Sequence, residues 1–344
     1  MRAGVFRGVR QMPIEQVPDP VAGEADIVLN VRNCGVCGSD LHPYAQGVFG
    51  DVGQIMGHEF SGEVIEVGRR VTGITVGDRV TGLPIQPCGR CRRCRESIGH
   101  LCEVWNTRSI AFGLPGAFAE RVRIPDAVLG QNVHRLPDTV SFEAGALVEP
   151  LAVAVHAVRH TEPRPGQVAV VLGLGTIGLH IAQVLLAAGV APVIGVDLSA
   201  LRRQVAQQLG ITVVDGAADV PAAIAELLDD GEVDVVFEAT GAPALLQRAL
   251  ELVRPRGLVM AVALYEQPAQ LNATVVVHKE ATVRGSAMVT PEDFRDSIEL
   301  LATGKARYEP LITHRKPLDE LAEAFEAQLD ADKSVKVMVT TGDA

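Results

Sequence analysis

The stretch Gln167-Val-Ala-Val-Val-Leu-Gly-Leu-Gly-Thr-Ile-Gly178 decides the fold. Its first six residues are an apolar, β-branched run that predicts a buried strand, and Thr176 to Ala188 carries the spacing of a helix. Between them, Gly173, Gly175 and Gly178 form G-x-G-x-x-G in the setting that gives this pattern meaning, a turn from strand into helix. The first glycine permits the turn, the second lets a pyrophosphate approach the backbone, and the third lets helix and strand pack closely. Phosphates then face the helix N-terminus, where unpaired N–H groups and the helix dipole favour negative charge. Thr176 and Ile177, inside the loop, join the three glycines as candidate cofactor contacts.

Working outward, Pro192-Val-Ile-Gly-Val-Asp197 predicts the next strand, and Asp197 stands 19 positions after Gly178, close to the roughly 20 expected of an acid that binds the adenosine ribose. Such an acid accepts hydrogen bonds from the ribose hydroxyls and repels a 2′-phosphate, which favours NAD over NADP. Arg202 and Arg203 pull the other way, because an arginine nearby accommodates that phosphate. Ala200 to Leu209 and Pro243 to Val253 predict helices. Ile211 to Asp215, Val233 to Thr240 and Gly257 to Leu264 predict strands, with Thr240 a further candidate cofactor residue. Near-continuous apolar strands separated by helices imply a parallel sheet covered on both faces, a doubly wound α/β domain.

Upstream of about residue 150 the pattern differs. Short alternating runs such as Asp26 to Val31, Ser61 to Val67 and Asp78 to Thr81 lie between Gly and Pro turns, which predicts a partly open β-barrel. Near the end, helices over Asp293 to Ala302 and Leu318 to Leu329 precede a strand, Val335 to Val339. Spacing leaves open whether this segment extends the α/β sheet or folds back onto the β-rich half. A chain of 344 residues exceeds what one core usually supports, so two domains are expected.

Two clusters carry metal chemistry. Cys88, Cys91, Cys94 and Cys102 place four thiolates within fifteen residues, the set of a closed structural zinc site that folds a loop lacking a core. Arg90, Arg92, Arg93 and Arg95 interleave with them and raise a nucleic-acid zinc ribbon as a rival. The net charge of −11 argues against that partner. The second cluster, Cys34-Gly-Val-Cys37-Gly-Ser39-Asp40-Leu-His42 with Gly57-His58-Glu59, offers Cys37 and His58 as ligands and Glu59 beside them. A catalytic zinc takes about three protein ligands and keeps one position open. Glu149, a carboxylate in the apolar run Ala146 to Pro150, is the candidate third donor; its bland alternative is a carboxylate satisfied by a helix N-terminus. Cys34 completes a C-x-x-C with Cys37, but no thioredoxin-like context surrounds it, so a buried small thiol is expected.

No apolar run reaches the ~18 residues of a membrane span, and Met1-Arg-Ala-Gly-Val-Phe-Arg lacks the core of a secretory signal. A cytoplasmic protein with reduced cysteines is expected.

Together these motifs, with Glu149-Pro150 and Glu309 to His314, make the whole chain resemble the zinc-dependent medium-chain dehydrogenase/reductases, in the branch of sorbitol and 2,3-butanediol dehydrogenases. The resemblance implies a GroES-like catalytic domain, residues 1–150 and 291–344, and a Rossmann NAD-binding domain, residues 151–290. It implies two zinc ions per chain, one catalytic and one structural. It also implies NAD as cofactor and a homo-oligomer, tetramer or dimer. Glu149 stands where many alcohol dehydrogenases have a cysteine, which points to the polyol and diol branch. Glu59 is a further ligand candidate there, unranked against Glu149. Asp40 matches a partner that orients His58, and Arg202 a contact to the adenosine ribose. Ser39 matches the group that takes the substrate proton, with His42 or a carboxylate-bound water passing it outward. The implied activity is oxidation of a secondary alcohol, a polyol or vicinal diol, with hydride transfer to NAD. L-Threonine 3-dehydrogenase shares these motifs, and a zinc- and NAD-binding protein without turnover is the non-enzymatic alternative.

Overall fold

The computed structural model describes residues 1–48, 50–228 and 232–341. The chain divides into two compact units, Met1–Ala152 with Met288–Thr303 and Ile312–Ala344, and Val153–Ala287 with Gly304–Leu311.

The first unit is mostly β. Strands β1 (Arg2–Gly4) and β2 (Ile14–Gln16) form an antiparallel pair. A seven-stranded sheet holds β3 (Ile27–Gly35), β4 (Glu59–Val67), β5 (Arg79–Gly82), β6 (Arg121–Ile124), β7 (Val133–Arg135), β14 (Ile312–Pro317) and β15 (Lys336–Thr340). Opposite β4, the edge of β3 is shared: Ile27 to Asn30 pair with β6, and Asn33 to Gly35 with β15. A β-rich unit of mostly short strands is what the short alternating runs predict. The apolar face of β3 meets Phe60, Phe118, Phe325, Val337 and Val339 in one buried core. Pairing of β15 with β3 answers what spacing left open, since the terminal strand folds back onto the β-rich unit.

Helices of this unit are α1 (Gly38–Gln46), α2 (Arg92–Arg95), α3 (Phe142–Ala146), α4 (Val148–Arg159), which runs on into the second unit, α10 (Pro291–Ala302) and α11 (Leu321–Leu329). Helix α1 is an element that the sequence patterning did not announce. Gly38 and Pro43 are poor helix formers and conceal it, while Asp40 closes a capping box with Cys37 that starts it.

The second unit is a six-stranded parallel sheet in the order β10-β9-β8-β11-β12-β13. Its strands are β8 (Ala169–Leu172), β9 (Val193–Asp197), β10 (Thr212–Asp215), β11 (Val233–Glu238), β12 (Val253–Ala261) and β13 (Thr282–Gly285). Between them lie α5 (Thr176–Ala187), α6 (Ala200–Gln208), α7 (Val220–Leu227), α8 (Pro243–Leu252) and α9 (Ala273–Lys279). All four residues of β8 are buried, as expected of a strand covered on both faces. Strand order reverses between β8 and β11, so the crevice at their carboxyl ends is the ligand position of this fold. Residues 304–311, expected with the C-terminal part of the first domain, cluster instead with the second unit. There the Arg307 N–H donates to Gln183 at 2.6 Å and its guanidinium to the Gln208 carbonyl at 3.0 Å.

Candidate active site

In the first unit, Cys37, His58 and Glu59 present ligand atoms that all lie within 4.8 Å of one another. Local folding explains the convergence. Cys37 is the N-cap of α1, and His58 and Glu59 enter β4 after Gly57, whose φ of +94° suits glycine. A Cβ on Gly57 would lie 2.8 Å from the Cys34 sulfur and from the Phe118 nitrogen, so the turn sits tightly on the core. Cys34 is the expected buried thiol, its pKa raised well above the usual value by burial and by Asp40 and Glu59.

Asp40 performs two tasks. One oxygen accepts the Cys37 backbone N–H at 3.0 Å, and the other lies 3.6 Å from His58 Nδ1. A carboxylate facing Nδ1 orients the ring and leaves Nε2 as donor to a metal. Burial opposes charge on His58, but Asp40 and Cys37 outweigh it and hold its pKa well up. Such anionic surroundings favour any cation, and a metal competes for the same donors.

The two glutamates, unranked from sequence, differ here. Glu59 is 1% exposed and accepts from Lys336 Nζ through both oxygens, at 2.9 and 2.7 Å. Lys336, 2% exposed, gives its third donor to the Val36 carbonyl at 2.8 Å. Gly35 makes room, for a Cβ there would lie 2.2 Å from a Glu59 oxygen. Glu149 stands in the first turn of α4, where the helix dipole favours a carboxylate. It lies outside the 4.8 Å group. Burial pushes it up to about 7, with Glu59 adding and His58 opposing. A carboxyl so raised gains from a nearby cation, whereas Glu59 already has one.

Lys336 is the residue at this cluster that the sequence did not single out. Its signal was a lone charge inside the apolar strand Val335 to Val339. Replacing it with Met strands a buried carboxylate, so Lys336→Met is expected to cost about 3–5 kcal/mol of stability in zinc-free protein. Thermal unfolding with and without chelator checks this; unchanged stability would mean that the pair contributes nothing.

Ser39 and His42 lie one turn apart on α1, both half-buried, so both side chains project from one side of the helix.

The cysteine quartet forms a second cluster. Sulfur separations are 3.9 Å for Cys88 and Cys94, 3.5 Å for Cys91 and Cys94, and 4.0 Å for Cys91 and Cys102. A tetrahedron with Zn–S bonds of ~2.3 Å has edges of about 3.8 Å, so the residues fit zinc. Backbone N–H groups of Arg90 and Cys91 bring the Cys88 thiol down to about 6, whereas burial and Cys91 push Cys94 up to about 12. Adjacent thiolates cannot all stay charged without a cation, and zinc meets that need.

In the second unit, Gly173 has φ of +93° and Gly175 is the N-cap of α5. A Cβ on Gly178 would stand 1.8 Å from the Gly173 carbonyl oxygen, which explains the third glycine as close packing. At Gly175 the nearest atom to such a Cβ is an Arg202 nitrogen at 3.8 Å, leaving the open approach a pyrophosphate needs. Asp197 ends β9 and accepts the Leu174 N–H at 2.7 Å and the Ser199 N–H at 2.8 Å. Arg203 donates to the Asp197 and Leu198 carbonyls and to Asp215, which commits that guanidinium to the fold. Arg202 lies 3.9 Å from Asp197.

Comparison with known proteins agrees with both units. Residues 23–138 match the alcohol dehydrogenase GroES-like domain, and residues 176–303 the zinc-binding dehydrogenase family. The chain is 36% identical to the (R,R)-butanediol dehydrogenase of Bacillus subtilis, covering 98% of this chain and 99% of that protein. It is 32% identical to a sorbitol dehydrogenase of Halalkalibacterium halodurans, covering 97% and 96%. The solved structure of the 2R,3R-butanediol dehydrogenase from Bacillus subtilis superposes with a TM-score of 0.88 at 34% identity over 99% of both chains.

Proposed function

The chain belongs to the zinc-binding dehydrogenases with an alcohol dehydrogenase GroES-like domain, and from that premise we propose that it oxidises a polyol or vicinal diol at a secondary hydroxyl, reversibly. It is an NAD-dependent zinc alcohol dehydrogenase in which the first unit is the catalytic domain and the second the NAD-binding domain. The observation that carries the reading is the mixed cluster of Cys37, His58 and Glu59, beside full-length likeness to butanediol and sorbitol dehydrogenases.

Cys37, His58 and Glu149 hold the catalytic zinc in this reading, and Glu59, held by Lys336, stands as the reserve donor. A zinc ion there supplies Lewis-acid polarisation of the substrate hydroxyl, and NAD supplies the hydride acceptor. Asp40 fixes the His58 ring. Ser39 takes the hydroxyl proton and His42, one turn further along α1, passes it outward. Gly173, Gly175, Thr176, Ile177 and Gly178 cradle the pyrophosphate, Asp197 and Arg202 the adenosine ribose, and Thr240 borders the same crevice.

The test is NAD reduction with a panel of 2,3-butanediol stereoisomers, sorbitol, xylitol and L-threonine. Turnover is expected on a diol or polyol; preference for L-threonine would overturn the substrate class. Asp197→Asn keeps an acceptor for the loop while removing the charge that repels a 2′-phosphate. It is expected to narrow the NAD over NADP preference about tenfold, ~1.4 kcal/mol, measured as the ratio of kcat/KM values. A wild-type enzyme that already prefers NADP would refute this role.

Among the described residues no helix is long and apolar enough to cross a membrane, and the proposal takes the protein as cytoplasmic. It is further taken as a homo-oligomer, tetramer or dimer. Edge strand β13, with three of four residues exposed, is a surface that association would cover.

A further inference from the structure

We propose that Glu238 and Tyr265 are positioning residues that shape the wall of the nicotinamide half of the cofactor site. The inference rests on the reading of Gly173 to Gly178 as the pyrophosphate loop. Glu238 is the last residue of β11 and is 0% exposed. One carboxylate oxygen accepts the Thr240 N–H at 2.8 Å and the Thr240 hydroxyl. The other accepts the Gly241 N–H at 3.3 Å and the Tyr265 hydroxyl. Burial and Glu238 both raise the Tyr265 pKa, which keeps that hydroxyl a donor.

No ion pair is formed by Glu238 among the described residues. A buried carboxylate with four donors and no cation is a costly way to hold a turn for stability alone. What it achieves is shape. The turn at residues 239–242 folds around the carboxylate, and the Val262 N–H donates to the Glu238 carbonyl at 2.9 Å, tying in the end of β12. The outer side of that turn reaches the glycine loop, since a Cβ on Gly173 would lie 2.6 Å from Thr240 Cγ2.

Topology identifies which half of the cofactor this wall faces. A dinucleotide lies across the carboxyl ends of the strands at the order reversal, here between β8 and β11. Asp197 ends β9, on the adenosine side, and Glu238 ends β11, on the opposite side. Beyond the pyrophosphate, that opposite side receives the nicotinamide and its ribose.

The experiment compares NADH with adenosine diphosphate, which lacks the nicotinamide half, by calorimetric titration of the zinc-loaded enzyme and its Glu238→Gln and Tyr265→Phe variants. Glu238→Gln is expected to raise the NADH Kd about tenfold, as a lost set of buried charged hydrogen bonds does, while the adenosine diphosphate Kd stays within about twofold. Tyr265→Phe is expected to shift NADH alone, in the same direction and less. If Glu238→Gln fails to fold, Tyr265→Phe carries the same comparison. Equal weakening of both ligands would reduce Glu238 to a structural part of the domain, and an unchanged NADH Kd in both variants would also overturn the inference. Failure of the wild type to bind adenosine diphosphate would overturn the loop reading and this inference with it.

Discussion

Cys37→Ala is expected to lower turnover about a thousandfold or more while leaving the chain folded. Cys37 lies in the metal-ligand cluster with His58 and Glu59, and its thiol is the one soft donor there. Lewis-acid polarisation supplies several kcal/mol of transition-state stabilisation, and each ~1.4 kcal/mol is a factor of ten in rate. Losing the site therefore removes about three decades. The fold's stake in the thiol is one half of the α1 capping box. Helix α1 is started by Asp40, which accepts the Cys37 backbone N–H, and Ala retains that group. His58→Ala is expected to act in the same direction. Metal analysis should find the zinc content falling from two per chain to one, with the circular dichroism spectrum preserved. Wild-type turnover in Cys37→Ala would remove the basis for a catalytic metal at this cluster.

The readable parts of this protein were those whose partners are close in sequence or repeat with a period. Strand β8 is buried throughout and reads as an unbroken apolar run, β9 and β11 are apolar but for Gly195, Asp197, Asp234 and Glu238, and the glycine loop sits directly between β8 and α5. The cysteine quartet spans fifteen residues and its chemistry is local. The different surroundings of the two glutamates were not readable, because the partner of Glu59 is Lys336, 277 residues beyond it. Nor was the clamp at the end of β11, where Glu238 meets Tyr265, 27 residues away, beyond helix α8 and strand β12. Helix α1 escaped because Gly38 and Pro43 carry weak intrinsic helix preference, and what sets it is a cap and packing of Tyr44 against Phe325 at 4.7 Å between ring centres. In each case a long-range contact decided what local preference left open.

Replacing Cys91 should have the opposite profile from Cys37, with stability lost first and catalysis as a consequence. From residue 87 to residue 108 Cys102 alone is buried, so this lobe has almost no hydrophobic core. Its remaining order rests on short turns, among them the Cys91 N–H to Cys88 sulfur and the Cys88 N–H to Cys102 sulfur, each at 3.3 Å. Those hydrogen bonds point at sulfurs, so they hold only while the sulfurs are held. In zinc-finger peptides a structural zinc contributes about 10–16 kcal/mol of apparent binding free energy, and this is folding free energy. Cys91→Ser replaces one thiolate with a poor zinc ligand and is expected to unfold the lobe while both sheets persist. Limited proteolysis should then cut between residues 87 and 108, where Arg90, Arg92, Arg93 and Arg95 offer tryptic sites. The wild type should become equally susceptible once its zinc is removed by chelation. Since the two sheets have their own apolar cores, circular dichroism should change little. Resistance of Cys91→Ser to trypsin, with its zinc content still two per chain, would show that the lobe is held by something other than the metal.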